Sequence, residues 1–260
     1  MTALLAAECG VLGLLIGSFL NVVVWRVPRG ESVVSPGSHC PSCGDPVRPR
    51  DNIPVLSWLL LRGRCRSCAQ PISVRYPLVE AGTGALFALT AAWAGLDWTL
   101  PAFLYLAAIT VALALIDLDV RRLPNAIVLP SYPVALLLLL LPAALDGRWD
   151  DLLRAVLAAV VLYALFFALA VAKPGGMGFG DVKLAGVVGL YLGWLGWPQV
   201  AVGAFLGFVL GGVAGGVMIA ARRATRRSAL PYGPFMLLGA ALAVGAGGSL
   251  FDGYLSLLGA

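Results

Sequence analysis

Eight apolar stretches, near residues 3–24, 77–95, 99–117, 125–145, 153–172, 182–196, 199–221 and 233–257, leave this chain little polar sequence from which to build a water-facing surface. A bilayer core roughly 30 Å thick takes about 20 apolar residues per helical crossing, and breaker residues separate the stretches. The stretch 182–196 is the shortest. Charged residues make up 12% of the chain and hydrophobic residues 60%, with a mean hydropathy of +0.92. An average soluble domain is roughly 25% charged, so a water-soluble globule is excluded. Disorder is excluded too, because it needs low hydrophobicity and high charge density. The expected architecture is an all-α polytopic membrane protein with about eight transmembrane helices in a lipid bilayer.

Basic residues collect in cytoplasmic loops, and here they orient the chain. The one long polar segment, Trp25 to Tyr76, carries Arg26, Arg29, Arg48, Arg50, Arg62, Arg64, Arg66 and Arg75. That loop is expected inside, with the N-terminus outside. Counting crossings then places Arg121, Arg122, Lys173, Lys183, Arg222, Arg223, Arg226 and Arg227 inside, and only Arg148 and Arg154 outside. Both termini are expected outside. A cleaved signal peptide is the competing account of residues 1–24, but no basic residue precedes the apolar run, and Arg26 and Arg29 follow it. The net charge of +5 is explained by topology, so no nucleic-acid partner is expected.

Four of the five cysteines lie in the polar loop, as Cys40-Pro41-Ser42-Cys43-Gly44 and Cys65-Arg66-Ser67-Cys68. Two C-x-x-C turns, separated by residues 44–64, present paired thiolates to one tetrahedral metal. Gly44 permits the positive φ that such a turn tends to need. Disulfides are disfavoured on a reducing cytoplasmic face. A loop of some 50 residues has little apolar material for its own core, so metal coordination supplies folding free energy that burial cannot. A structural zinc on Cys40, Cys43, Cys65 and Cys68 is expected, with His39 a bystander and Cys9 a small buried apolar residue of the first span.

Ionisable groups inside a span are costly, which makes each a functional candidate. Asp117 and Asp119 end the third stretch, just before Arg121 and Arg122. Asp181 follows Gly175-Gly176-Met177-Gly178-Phe179-Gly180 and precedes Lys183. Crossing count puts Asp117 and Asp181 at the same, cytoplasmic, end of their helices. Two such carboxylates run acid–base hydrolysis when one is ionised and the other protonated. Glycines 178 and 180 would let an extended substrate or a neighbouring helix approach closely. The bland alternative is headgroup-level pairing of these aspartates with Arg121, Arg122 and Lys183, and for Asp119 it is retained.

The ordered set of pieces resembles the bacterial type IV prepilin peptidases, membrane aspartyl proteases of the GxGD class. It comprises Gly17-Ser18-Phe19-Leu20-Asn21 with Arg26 and Pro28, the two C-x-x-C pairs, and Ser73-Val74-Arg75-Tyr76-Pro77-Leu78-Val79-Glu80. Ile116-Asp117-Leu118-Asp119 with Leu123-Pro124-Asn125, Gly178-Phe179-Gly180-Asp181-Val182-Lys183, and Pro231-Tyr232-Gly233-Pro234-Phe235 complete it. The resemblance covers essentially the whole chain. It implies Asp117 and Asp181 as catalytic residues, Gly178, Gly180 and Lys183 as support for substrate and site, and Asp119 as an accompanying acid. One departure is Asn125, where many bacterial members have an acidic residue after the proline.

The implied substrates are prepilins or pseudopilins, cut at the cytoplasmic boundary of a bacterial inner membrane. The resemblance also implies N-methylation of the new terminus by S-adenosylmethionine, an activity associated with the cysteine loop. Arg75 and Glu80 are the candidates for the cofactor site. The implied organisation is a first transmembrane helix over 1–24, a zinc loop over 25–76 and a seven-helix peptidase domain over 77–260. Three alternatives stay open: a peptidase without methyltransferase activity, an ion-coupled transporter, and a secretion scaffold without chemistry of its own.

Overall fold

The computed structural model describes residues 1–173, 176–223, 225 and 230–257. Gly175 of the glycine run, and Arg226 and Arg227 of the basic tetrad, lie outside the described residues. Helices occupy all eight predicted stretches: α1 (Thr2–Arg26), α3 (Arg75–Ala94), α4 (Leu100–Val120), α5 (Asn125–Leu145), α6 (Trp149–Ala172), α7 (Phe179–Leu195), α8 (Trp197–Ala220) and α9 (Gly233–Leu257). A short α2 (Leu56–Leu60) lies in the polar loop. The chain divides into two compact units, Met1–Ala112 and Leu113–Ala260.

Six of these helices, rather than all eight, are long and apolar enough to cross a membrane by themselves. The two that fall short are α3 and α7. Helix α3 carries Arg75 and Glu80 in its first two turns. Helix α7 has only 17 residues, and every residue from Leu184 to Trp194 is buried. It is the centre of the second unit, with α5, α6, α8 and α9 packed on it. A helix that is apolar all round belongs in a protein interior, which accounts for both its composition and its shortness.

Small residues let the helices close on each other, as they must where no hydrophobic effect drives association in lipid. In the first unit, a Cβ on Gly17 would lie 2.8 Å from the Glu80 Cα of α3, and one on Gly13 would lie 2.8 Å from the Gly84 Cα. Cys9 is buried there with Phe87, Ala91, Leu100 and Ala107, the small apolar role expected of it. In the second unit, a Cβ on Gly189 would stand 2.6 Å from the Ala159 Cα of α6. Gly189→Ala is therefore expected to force α6 and α7 apart and cost about 1–3 kcal/mol, read as a lower unfolding midpoint in detergent.

Arg148 and Arg154 have structural work at the far end of α7. Arg154 donates to the carbonyls of Gly193 at 2.7 Å and Trp194 at 2.8 Å, covering the helix C-terminus. Asp151 holds both arginines, accepting from Arg148 Nε at 2.6 Å and Arg154 Nη2 at 2.7 Å. Cations satisfy the last carbonyls of a helix and complement its dipole.

Candidate active site

The four loop cysteines converge. Their Sγ atoms all lie within 4.8 Å of one another, and those of Cys40 and Cys68 are 3.8 Å apart. A tetrahedral zinc with bonds of about 2.3 Å requires sulfur separations of about 3.8 Å, so the cluster fits a metal of that kind. Two turns of the same construction deliver the pairs. The Cys40 N–H donates to Asp45 O at 2.9 Å and the Gly44 N–H to Cys40 O at 2.9 Å; the Cys65 N–H donates to Gln70 O at 2.8 Å and the Ala69 N–H to Cys65 O at 3.0 Å. Gly44 has the expected positive φ of 75°. Ala69 adopts φ 59° at the matching place, which the sequence did not reveal because alanine carries no turn signal.

Backbone hydrogen bonds from Cys43 and Ser42 hold the Cys40 thiol down to about 6. Asp51 takes a bidentate grip from Arg66 of the second turn, Nε at 2.8 Å and Nη2 at 2.6 Å, and that hydrogen bonding holds its carboxyl below the usual range. His39 remains exposed and outside the thiol cluster, its Nδ1 3.0 Å from Gly37 O.

Asp117 and Asp181 both belong to the second unit, and both are buried, at 5% and 8% exposure. Asp117 is in the last turn of α4 and accepts the Gly233 N–H at 3.1 Å, an otherwise unpaired donor at the start of α9. Asp181 is in the first turn of α7 and accepts the Gly178 N–H at 3.2 Å, while its own N–H donates to Gly178 O at 3.0 Å. The two carboxylates are near enough for their charges to interact. Leu123 joins the two places: a Cβ on Gly180 would meet its Cβ at 3.0 Å, and one on Gly233 would meet its Cδ2 at 3.3 Å. Among the described residues neither aspartate forms an ion pair.

Lys183 turns away from Asp181. Its Nζ donates to Asn125 Oδ1 at 2.9 Å and lies 4.8 Å from the centre of the Phe179 ring. The residue after Pro124 thus anchors the first turn of α7 from α5. Tyr132 adds a second tie from α5, its hydroxyl donating to Lys183 O at 2.6 Å. Asp119 is exposed, unlike the buried pair.

Glu80 is buried at 8% exposure, and its Oε2 accepts the Val55 N–H at 2.7 Å. Val55 has φ 61°, an outlier for a β-branched residue. Glu80 therefore ties the start of α2 to α3. Arg75 opens α3, where its N–H donates to Ser73 Oγ at 3.2 Å.

Gly233 and Leu123 are the site residues whose roles sequence reasoning missed. A Cβ on Gly233 would lie 2.9 Å from Asp117 Oδ2. Gly233→Ala is expected to displace that carboxylate and lower turnover about 10²-fold, the order that a small misplacement of a reacting group costs. A normal unfolding midpoint with lost turnover would check it.

Fold and site together define a class: a polytopic helical membrane protein with a buried carboxylate pair in one unit and a four-thiol loop in the other. Residues 11–94 match the bacterial peptidase A24 N-terminal domain, and residues 104–217 match the type IV leader peptidase family. The chain is 38% identical to a prepilin leader peptidase/N-methyltransferase of Pseudomonas putida, over 96% of this chain and 93% of that relative. It is 39% identical to a protein of the same name from Neisseria gonorrhoeae, over 82% of each. Another in Myxococcus xanthus is 42% identical, over 71% of this chain and 55% of its own length. No solved structure matches. The chain belongs to the type IV leader peptidase family and is an enzyme of it.

Proposed function

We propose that this enzyme removes the leader of prepilins or pseudopilins by hydrolysis between Asp117 and Asp181, and then methylates the new terminus. The observation that carries the peptidase reading is the carboxylate pair itself: both buried, each held by a glycine N–H at a helix start, and close enough to influence one another. The ionised carboxylate takes a proton from water while its oxygen attacks the scissile carbonyl carbon. The protonated carboxyl gives its proton to the carbonyl oxygen. Collapse of the tetrahedral intermediate breaks the C–N bond; the carboxyl that took the water proton gives it to the departing amine, and the other carboxylate recovers its proton from the intermediate's hydroxyl. Gly180 and Gly178 let Leu123 and the Asp181 carboxylate approach to within 3.0 Å and 3.1 Å of where a Cβ would stand, and Lys183, through Asn125, steadies the helix that bears Asp181.

Zinc on Cys40, Cys43, Cys65 and Cys68 would supply folding free energy to the loop 25–76. The relatives' name supports S-adenosylmethionine as donor of a methyl group to the freed α-amine. Glu80 already accepts a backbone hydrogen bond, which supports an anchoring role for it rather than a cofactor contact. The domain reading keeps a first helix over 1–24, a metal loop over 25–76 and a peptidase region over 77–260.

In the inner membrane the chain makes eight crossings, α3 and α7 among them, with both termini outside and the loop and aspartates at the cytoplasmic face. A membrane-impermeant reagent is expected to label a tag at either terminus of intact spheroplasts; labelling only after lysis would overturn that topology. The placement of Asp117 in a last turn and Asp181 in a first turn favours an enzyme over a transporter, whose carboxylates belong near the midplane. The deciding experiment incubates detergent-purified protein with a prepilin and methyl-labelled S-adenosylmethionine. Leader removal with label transfer supports both activities; leader removal alone leaves a peptidase, and neither activity overturns the reading.

A further inference from the structure

Arg26 ends α1 with only 9% of its surface exposed. Its Nη1 donates to Ser32 O at 2.9 Å, and among the described residues no carboxylate pairs with it. The side chain lines a cavity of about 260 Å³ in the first unit, together with Leu15, Ser18, Phe19 and Val22 of α1 and Val34 and Asn52 of the loop. Among the described residues no Asp or Glu lines that cavity. Helical spacing puts Leu15, Phe19 and Val22 on the side of α1 roughly opposite Gly13 and Gly17, which face α3. Leu15 and Phe19 are 56% and 48% exposed. An apolar track along a membrane-spanning helix thus ends at a desolvated cation whose guanidinium is only partly satisfied.

The geometry points to an anionic phospholipid as the occupant, its phosphate on Arg26 and an acyl chain along Leu15, Phe19 and Val22. A buried cation without a counter-charge is costly, and guanidinium matches phosphate through paired donors. Basic pockets at the ends of spans take lipid headgroups on this basis. S-adenosylmethionine fits less well: its carboxylate would suit Arg26, but its sulfonium and ammonium groups would find no acid in the lining. Inorganic phosphate would leave the apolar track bare.

The test titrates delipidated full-length protein in detergent with dioleoyl phosphatidylglycerol, dioleoyl phosphatidylcholine, sodium phosphate and S-adenosylmethionine, and reads retention by native mass spectrometry. Phosphatidylglycerol is expected to bind about tenfold more tightly than phosphatidylcholine, the worth of one charge-assisted contact. Arg26→Gln should abolish that preference, and Val22→Trp should weaken phosphatidylglycerol binding by filling the track with Arg26 intact. Arg29→Gln should change nothing, since Arg29 stacks on Trp25 at 3.6 Å outside the cavity. Equal retention of the two lipids, or a preference that survives Arg26→Gln, overturns the proposal. So does displacement of phosphatidylglycerol by phosphate alone or by S-adenosylmethionine. If Arg26→Gln fails to fold, unchanged phosphatidylglycerol binding in Val22→Trp overturns it.

Discussion

Asp117→Asn and Asp181→Asn are each expected to lower prepilin cleavage by about 10²- to 10⁴-fold, the range that positioned acid–base groups contribute. Asparagine is isosteric and keeps a carbonyl oxygen to accept the Gly233 or Gly178 N–H, so the starts of α9 and α7 stay capped. What it loses is the ability to carry a proton. The loss should therefore fall on turnover, while substrate affinity and unfolding midpoint stay near wild type. The double variant should be little worse than either single one, because two groups that act as one unit are not additive. Retained cleavage in either single variant would return the carboxylates to a structural role.

Loss of the metal is the second large effect. Purified protein should hold about one zinc per chain, measured by elemental analysis, and Cys40→Ser or Cys65→Ser should bring it close to none. A four-thiolate site supplies apparent binding free energy of about 10–16 kcal/mol to the fold around it. Residues 25–76 should accordingly become protease-sensitive in these variants or after chelation. The thiols lie in the first unit and the aspartates in the second. The Asp→Asn proteins should thus keep their zinc, and the cysteine variants should lose label transfer before they lose leader removal. A metal-free protein with an intact, protease-resistant loop would refute the zinc assignment.

The features that read directly from the sequence were those written in a few neighbouring residues. Two C-x-x-C pairs announce thiolate ligands by local spacing, and Asp117 and Asp181 stand out because charge is rare in an apolar stretch. Helix positions were legible for a similar reason, α5 at Asn125–Leu145 being the clearest. Which helices face lipid was not, because hydropathy records apolarity without saying whether lipid or protein surrounds it, and α7 is surrounded by protein. Partners distant in sequence were also hidden. Gly233 lies 116 positions from the carboxylate it holds, and Glu80 finds Val55 through a backbone N–H that no side chain advertises. Tyr132 and Lys183 meet through a carbonyl, which every residue possesses.

The burial of α7 separates Asp181 from the lipid around the protein. Helices that touch lipid answer a change in bilayer thickness by tilting or by deforming the membrane. Helix α7 presents its flank to α5, α6, α8 and α9 instead, and Arg154 fixes its far end by two carbonyls. Acyl chain length then acts on Asp181 only through the neighbours of α7.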